Sequence, residues 1–147
     1  MKELKILIFG LNNELYATDI MEVERILGYE ISTELPESPG FLDGVIQYED
    51  GVLPIINLAN KFKLQSNNIS DENKIIVVKR ERDKFGVLVD NVSEVININE
   101  ADIDTPKTVT TLVPQKYIRG LVKKENKIII MLDLLKILTE EEEAVVF

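Results

Sequence analysis

Cysteine, histidine and tryptophan are all absent from this sequence of 147 residues. Without cysteine, the chain can form no disulfide, no thiolate metal site and no cysteine nucleophile. Without histidine, it lacks the commonest general base, the commonest metal ligand and the usual partner of a catalytic serine. The seven glycines are scattered singly, so a glycine-rich phosphate-binding loop is also missing. We therefore expect neither an enzyme nor a bound metal or cofactor.

Basic residues are fewer than acidic ones: the chain has 17 lysines and arginines and 26 aspartates and glutamates, so its net charge is −9. Nucleic acids are bound through Lys and Arg, so we expect no nucleic-acid partner. The same charge disfavours anionic membrane surfaces. No apolar run approaches the roughly 18 residues of a transmembrane helix, and residues 1–5 carry no secretory signal. The expectation is a cytoplasmic protein without membrane insertion.

The chain contains an internal repeat in two separate blocks. Residues 5–9 resemble residues 74–78 at an offset of 69, and the agreement continues without a gap. Residues 44–46 resemble residues 120–122 at an offset of 76. Gapless agreement in two blocks indicates a duplication, and two copies of one pattern predict two similar lobes.

The repeat halves run from about 4 to 64 and from about 73 to 139. Because the second offset exceeds the first by seven, the later copy carries seven extra residues. We place them in residues 105–115, which contain Pro106 and Pro114 and are typical of a loop.

Both copies are rich in short β-branched runs that are typical of buried strands. Hairpin turns are expected at Asn12-Asn13, at Arg82-Asp83 and most clearly at Asp50-Gly51, where both residues tolerate the positive φ of a type I′ turn. Pro54 cannot donate a ladder hydrogen bond, so its strand is predicted to lie at an edge or to carry a bulge there.

Several polar residues stand at predicted element ends. Asp19, Asp90 and Asp133 lie where carboxylates commonly cap backbone N–H groups, and we interpret them as caps rather than catalytic acids. Asn57 and Asp133 are each expected to cap a short helix after the second hairpin of their copy. Residues 140–147 are predicted to form a solvated acidic tail.

About five short strands and one helical turn per lobe predict a mainly β protein: two pseudo-symmetric five-stranded β-barrels, SH3-like or OB-like, with short helices. Closing each sheet into a barrel removes its exposed edges. Whether strands are exchanged between the lobes stays open. Small barrels also bind single-stranded nucleic acid, but this needs aromatic platforms in a basic groove, and the few aromatic residues are dispersed in an acidic chain.

Three segments resemble the motifs of CheW-like domains. Residues 44–58 are similar to the family's signature segment, and residues 16–26 and 85–95 resemble two further motifs in the expected order. The resemblance extends from Leu4 to Leu138. It implies the family's fold, a pair of five-stranded barrels, which agrees with the duplication.

The resemblance also implies a function. CheW-like adaptors join the histidine kinase CheA, through its CheW-like regulatory domain, to the tips of methyl-accepting chemotaxis receptors in arrays at the inner membrane. Such a scaffold needs two exposed apolar surfaces with polar rims and no chemistry of its own. An adaptor of a chemosensory array unrelated to swimming is the alternative.

Carried over by position, the resemblance implies a receptor-facing region, and the kinase-facing surface is expected near the hairpin at residues 45–56. Ile75 is also compatible with a core strand. Gly44, like Gly120, is compatible with close backbone packing or a bulge. Val23 and Val92 are expected in helical turns at a groove between the lobes. The full receptor-facing set is Val23, Arg25, Gly44, Glu49, Ile75, Val92 and Val95.

The chain departs from the family pattern at a charged position. Glu49 stands where the family usually has Arg, Asp50 stands where it has Gly, and Arg25 stands where it often has Glu. One hypothesis is an ion pair of reversed polarity between Arg25 and Glu49. The alternative is that both side chains are exposed and unrelated.

Overall fold

The structure, a computed structural model, describes residues 2–64, 70–105 and 113–147. The first half of the described chain contains five strands: β1 (Glu3–Leu11), β2 (Glu14–Asp19), β3 (Val23–Gly28), β4 (Leu42–Tyr48) and β5 (Gly51–Asn57). The second half also contains five: β6 (Lys74–Lys79), β7 (Lys84–Val89), β8 (Asn91–Asn99), β9 (Ile118–Lys124) and β10 (Lys127–Leu132). The α-helices are α1 (Leu58–Lys61) and α2 (Glu140–Val146), and single 3₁₀ turns occupy Ile20–Glu22, Glu100–Asp102, Gln115–Tyr117 and Leu134–Lys136.

The strands form two five-stranded sheets with the same topology. One sheet has the order β8-β1-β2-β10-β9 and the other has the order β3-β6-β7-β5-β4. Each sheet therefore takes a hairpin from one half of the chain and three strands from the other half. The mainly β fold with two pseudo-symmetric five-stranded lobes is confirmed.

The strand register repeats with the offset read from the sequence. In the β1–β2 pair Ile6 lies opposite Asp19, and in the β6–β7 pair Ile75 lies opposite Leu88, so both partners are displaced by 69. The parallel ladders repeat likewise, with Ile55 opposite Gly86 in one sheet and Met131 opposite Ala17 in the other. The duplication thus holds residue by residue.

Two isolated bridges show where the extra residues of the second half lie. Thr33 bridges Val45 in the first half, and Asp104 bridges Leu121 in the second. Asp104 is offset from Thr33 by 71 residues, and Leu121 is offset from Val45 by 76. Two of the extra residues therefore precede Asp104 in the sequence, and five lie between Asp104 and Leu121. The prediction that all seven lie in residues 105–115 was therefore only partly right. Residues 106–112, with Pro106, lie outside the described residues.

Three hydrophobic clusters form the core. One lies inside each lobe, and the third lies between the two sheets. Because side chains alternate across a strand, β1 directs Ile6 and Ile8 into its own lobe and Leu7 and Phe9 into the central cluster. Both faces of the inner strands are buried, as their near-continuous apolar runs require.

The predicted closure of the barrels is not made by backbone pairing. The edge strands are β8 and β9 in one sheet and β3 and β4 in the other. In the described residues, no ladder joins the two edge strands of either sheet. The edge of β4 is partly covered instead, because the N–H and C=O of Val45 both bond Thr33 at 2.9 and 2.8 Å.

The hairpin predictions were right in place and partly wrong in detail. Asn12 and Asn13 have φ angles of 53° and 62°, as a type I′ turn requires. In the second hairpin Tyr48 pairs with Gly51, so the turn residues are Glu49 and Asp50, and Glu49 has a φ of 54°. The predicted turn at Asp50-Gly51 is thus shifted by one residue.

Pro54 lies in an inner strand, but the pairing of this strand with β7 begins after residue 54, so the predicted edge holds at Pro54 and not for the whole strand. Its partner Val45 directs both backbone groups to Thr33, so the Val45–Pro54 pair needs no ladder hydrogen bond from residue 54. The parallel ladder of β5 with β7 begins only at Ile55. The missing N–H of proline therefore costs no hydrogen bond on either side.

Most of the predicted caps are present. The carboxylate of Asp19 accepts from the Met21 N–H at 3.0 Å, that of Asp90 from the Asn12 N–H at 2.8 Å, and the Asn57 side chain accepts from the Asn60 N–H at 3.1 Å. Asp133 makes no side-chain cap hydrogen bond, so that prediction was wrong. Its carboxylate faces Glu22 and lies 3.5 Å from the ammonium of Lys136.

The predicted acidic tail is helical, and none of its residues is buried. Residues Glu140–Val146 form α2, which begins with a capping box between Thr139 and Glu142. The carboxylate of Glu142 pairs with Lys61, and that of Glu143 pairs with Arg80. Two cations supplied by distant parts of the chain thus hold acidic side chains that the sequence presents as a charge run.

Candidate protein-binding surfaces

The predicted receptor-facing residues fall into surface and interior groups. Val23 and Val92 are half-buried and pack against the central cluster. They lie in strands β3 and β8, so the expectation of helical turns was wrong. Arg25 is exposed, and Val95 is 49% exposed at the position equivalent to Ile26 in the first half. We name Val23, Arg25, Val92 and Val95 the edge-strand surface.

Ile75 does not belong to this surface. Its side chain is completely buried in the cluster inside its lobe. A partner protein cannot contact it without unfolding the lobe, so the structure removes Ile75 from the receptor-facing set.

Gly44 serves close backbone packing. It is buried with a φ of 151°, and a Cβ atom there would lie 2.4 Å from the Thr33 carbonyl oxygen. Gly120 is equivalent, because a Cβ atom there would lie 2.8 Å from the Asp104 carbonyl oxygen. The register of β4 shifts between Leu42 and Gly44. Both glycines therefore allow a neighbouring segment to approach the strand, and Gly44 offers no side chain to a partner.

Tyr48 organises the charges between β3 and β4. Its hydroxyl donates to Glu24 at 2.7 Å, and the Arg25 guanidinium lies 5.6 Å from the centre of its ring. The Lys84 ammonium lies 2.9 Å from the Glu24 carboxylate and 3.6 Å from that of Glu49. Among these described residues Arg25 and Glu49 form no ion pair with each other, so each has a different partner from the one hypothesised.

The other lobe has an equivalent link between its edge strands. Glu94 of β8 pairs with Lys124 of β9. These positions correspond to Arg25 and Tyr48, at offsets of 69 and 76. A side-chain contact therefore bridges the two edge strands at the same place in both lobes, and its charge composition differs. In one lobe it is a cation over a ring and in the other an ion pair.

The pKa shifts around Tyr48 follow from this geometry. Hydrogen bonding to Lys84, and then to Tyr48, lowers the pKa of Glu24 below its ordinary value. Burial raises the pKa of Tyr48, and its hydrogen bond to Glu24 acts in the same direction. The hydrogen bond to Glu24 raises the pKa of Lys84. At neutral pH these pKa shifts keep Glu24 ionised, and they keep Lys84 and Tyr48 protonated.

A second surface lies along the β4–β5 hairpin, where the kinase-facing surface was expected. Val52 is 65% exposed and shares a shallow trough with Tyr48 and with Val146 and Phe147 at the end of the chain. We name this trough, with Asp50 at its rim, the hairpin surface. The sequence analysis missed the contribution of α2, although the Thr139–Glu142 capping pattern indicates a helix start.

An acid pair lies where the chain crosses between the sheets. The buried Thr18 hydroxyl donates to Glu22 at 2.7 Å, and the Glu22 carboxyl also meets Asp133. Burial is the main cause that raises the pKa of Glu22 to about 7, and the charges of Asp133 and Asp19 add to it. Asp19 is itself paired with Arg119 at 3.4 Å. Glu22 therefore keeps its proton to a higher pH than an ordinary glutamate, because its pKa is raised.

The described part of the chain contains no group of three or more acidic side chains arranged to hold a metal ion. In that same part, no helix has the length and apolar character needed to span a bilayer.

Comparisons with known proteins agree with this architecture. The family model of the CheW-like domain matches residues 5–142, which include both lobes. The chemotaxis protein CheW of Klebsiella aerogenes is 32% identical over 140 residues, covering 95% of this chain and 84% of that protein. The CheW of Thermotoga maritima is 32% identical over 144 residues, covering 95% of this chain and 91% of that protein.

A solved structure shows the same fold. The crystal structure of the scaffolding protein TtCheW from Thermoanaerobacter tengcongensis superposes with a TM-score of 0.84 at 34% identity, covering 91% of this chain and 86% of that chain. With the family model spanning both lobes, the chain belongs to the CheW-like domain family.

Proposed function

We propose that this protein is a non-enzymatic adaptor that couples methyl-accepting chemotaxis receptors to the histidine kinase CheA. The observation that carries the proposal is the family match from residue 5 to residue 142, because it includes both lobes, the edge-strand surface and the β4–β5 hairpin. The site of action is the cytoplasmic face of receptor arrays at the inner membrane, where receptor tips and kinase meet.

The geometry supports an adaptor because one folded body presents two candidate surfaces, which adjoin where Arg25 lies over the Tyr48 ring. The edge-strand surface carries half-buried valines beside exposed Arg25 and Val95. The hairpin surface carries Val52 with an acidic rim. An apolar centre with a polar rim is the ordinary anatomy of a protein interface.

We assign the receptor tip to the edge-strand surface and the kinase regulatory domain to the hairpin surface. Glu49 lies at the turn of the hairpin and is held by Lys84. The receptor therefore meets Arg25 rather than Glu49 as the principal charge, which favours a tip with a carboxylate opposite Arg25.

The test is binding of the purified chain to the kinase regulatory domain and to a receptor-tip fragment, measured separately by calorimetry. Val95→Glu is expected to weaken receptor binding about tenfold or more, since a charge would be buried in an apolar contact. Ile31→Glu is the matched control, because Ile31 is 82% exposed and belongs to neither surface. Wild-type protein that binds neither partner would refute the proposal.

Receptor-dependent activation of the kinase in a reconstituted mixture separates the chemotaxis role from its alternative. A chain that binds a kinase but no chemotaxis receptor belongs to another chemosensory array. Turnover of a small molecule, or binding of single-stranded oligonucleotide at low salt, would contradict an adaptor role.

A further inference from the structure

The C-terminal helix is held against the body of the protein by two cations. The Lys61 side chain is only 8% exposed, pairs with Glu142, and has its ammonium 5.2 Å from the ring centre of Phe41 and 5.4 Å from that of Tyr117. Phe41 and Tyr117 are equivalent residues of the two halves, at an offset of 76. Lys61 is therefore enclosed by both halves and joins them to α2.

Arg80 forms the second attachment. Its guanidinium makes a bidentate contact with Asp83 at 2.7 Å and pairs with Glu143. The same group lies 5.7 Å from the ring centre of Phe85 and 5.4 Å from that of Phe147. The two rings also contact each other, with their centres 6.5 Å apart, so the cation beside them helps to fix the position of Phe147.

These attachments place the end of the chain beside the hairpin. Val146 packs on the central cluster, Phe147 remains 47% exposed, and both line the trough that contains Val52. A helix of seven residues is not stable alone in water. Its position therefore depends on the contacts of Lys61 and Arg80.

The charges around the trough indicate what it accepts. Of the charged residues that line the trough, Glu49 and Asp83 are acidic and Lys84 is basic, and Arg25 lies over the ring of Tyr48 beside them. Asp50 adds a further exposed carboxylate at the rim. The rim is thus net acidic around an apolar floor, so its partner presents an apolar side chain among Lys or Arg residues.

We propose that the C-terminal helix is the second wall of the hairpin surface, and that Phe147 contacts the kinase regulatory domain directly. This inference rests on the proposed function, which names the partner. It adds that the contact surface of the kinase domain is an apolar side chain surrounded by Lys or Arg residues. Lys61 and Arg80 position the C-terminal helix that this surface contacts.

The test compares Phe147→Ala with Val145→Ala in the full chain, by calorimetric titration of the kinase regulatory domain. Val145 is 62% exposed on the same helix and does not line the trough, so it is the matched control. Phe147→Ala is expected to weaken binding about tenfold, the scale of an aromatic anchor at an interface. Val145→Ala is expected to bind within about twofold of wild type.

Two more variants keep the test decisive if Phe147→Ala disturbs the fold. Lys61 does not line the trough, so Lys61→Met acts on it only by releasing the helix. This variant is expected to weaken kinase binding and to leave receptor-tip binding unchanged. Asp50→Lys is expected to weaken kinase binding and to reduce its dependence on salt. Melting curves by circular dichroism show whether each variant is folded.

The outcomes separate the two proposals. Wild-type protein that does not bind the kinase domain refutes the proposed function. If the wild type binds the kinase domain and both Phe147→Ala and Lys61→Met bind it equally well, the inference about the helix is overturned. The proposed adaptor function is unaffected by that result. Self-association of the wild type that Phe147→Ala abolishes would show that a second copy occupies the trough, and would also overturn the inference.

Discussion

The half-buried acid Glu22 makes the stability of this protein depend on pH in an uncommon direction. Its pKa is raised from 4.5 to about 7 in the folded chain, mainly by burial. Between these values the folded state binds more protons than the unfolded state, so the stabilisation from Glu22 is complete below pH 4.5 and lost by about pH 7. Most carboxylates that are paired in a fold give the opposite slope.

The pKa shift of Glu22 sets an upper limit on the pH-dependent change in the free energy of unfolding. At about 1.4 kcal/mol for each pH unit, the interval from 4.5 to about 7 corresponds to about 3.4 kcal/mol. About 2 kcal/mol of this falls above pH 5.5. Glu22 is only half-buried and Lys136 and Arg119 are near its acidic neighbours, so solvent screening reduces the expected value to about 1 kcal/mol.

The perturbation is Glu22→Gln, which keeps a neutral hydrogen-bonding group beside Thr18 and Asp133. Urea unfolding followed by circular dichroism from pH 5.5 to 8.5 measures the difference from wild type. We expect the variant to gain about 1 kcal/mol relative to wild type as the pH rises through this range. Glu30→Gln, at an exposed position, controls for the loss of one negative charge. A difference that is constant with pH, or that falls as pH rises, refutes the reasoning.

Three further changes test the packing described above. Ile75→Ala is expected to cost about 2–5 kcal/mol of unfolding free energy because it leaves a cavity in a lobe core, whereas Val95→Ala at the exposed edge is expected to cost less than about 0.5 kcal/mol; equal costs by urea unfolding would contradict the assignment of Ile75 to the interior. Gly44→Ala is expected to cost about 1–3 kcal/mol or more, since the new methyl group meets the Thr33 backbone. A melting temperature equal to wild type would show that the bulge relaxes freely. Thr139→Ala removes the cap of α2 and is expected to cost about 1 kcal/mol of local helix stability. Faster amide exchange confined to α2 is the predicted signature, and unchanged exchange there would count against the capping box.

Local and periodic features were predictable. The short apolar runs around Ile6 and Ile75, the turn at Asn12-Asn13 and the cap at Asn57 depend on neighbours within a few residues. The structural role of Gly44 was also predictable as one of two options, because glycine at a bulge is a recurring solution where a backbone approaches closely.

Errors arose where a residue's partner comes from a distant segment. Arg25 packs on Tyr48 rather than pairing with Glu49, because adjacent residues at a turn point in different directions and only the fold selects which one faces β3. Asp133 faces Glu22 instead of capping its own turn. The acidic end becomes a docked helix because Lys61 and Arg80 supply its counter-charges.

The order of residue types along the chain was enough to predict two similar halves at offsets of 69 and 76, and to show motifs that resemble those of a CheW-like domain. These properties are carried by the order of residue types along the chain. Only the tertiary structure decided that each sheet combines strands from both halves, and that α2 completes the hairpin surface. Strand exchange leaves every local pattern unchanged, since a strand has the same alternation in either sheet. The free energy that stabilises the exchanged arrangement comes from contacts between segments that are far apart in the chain.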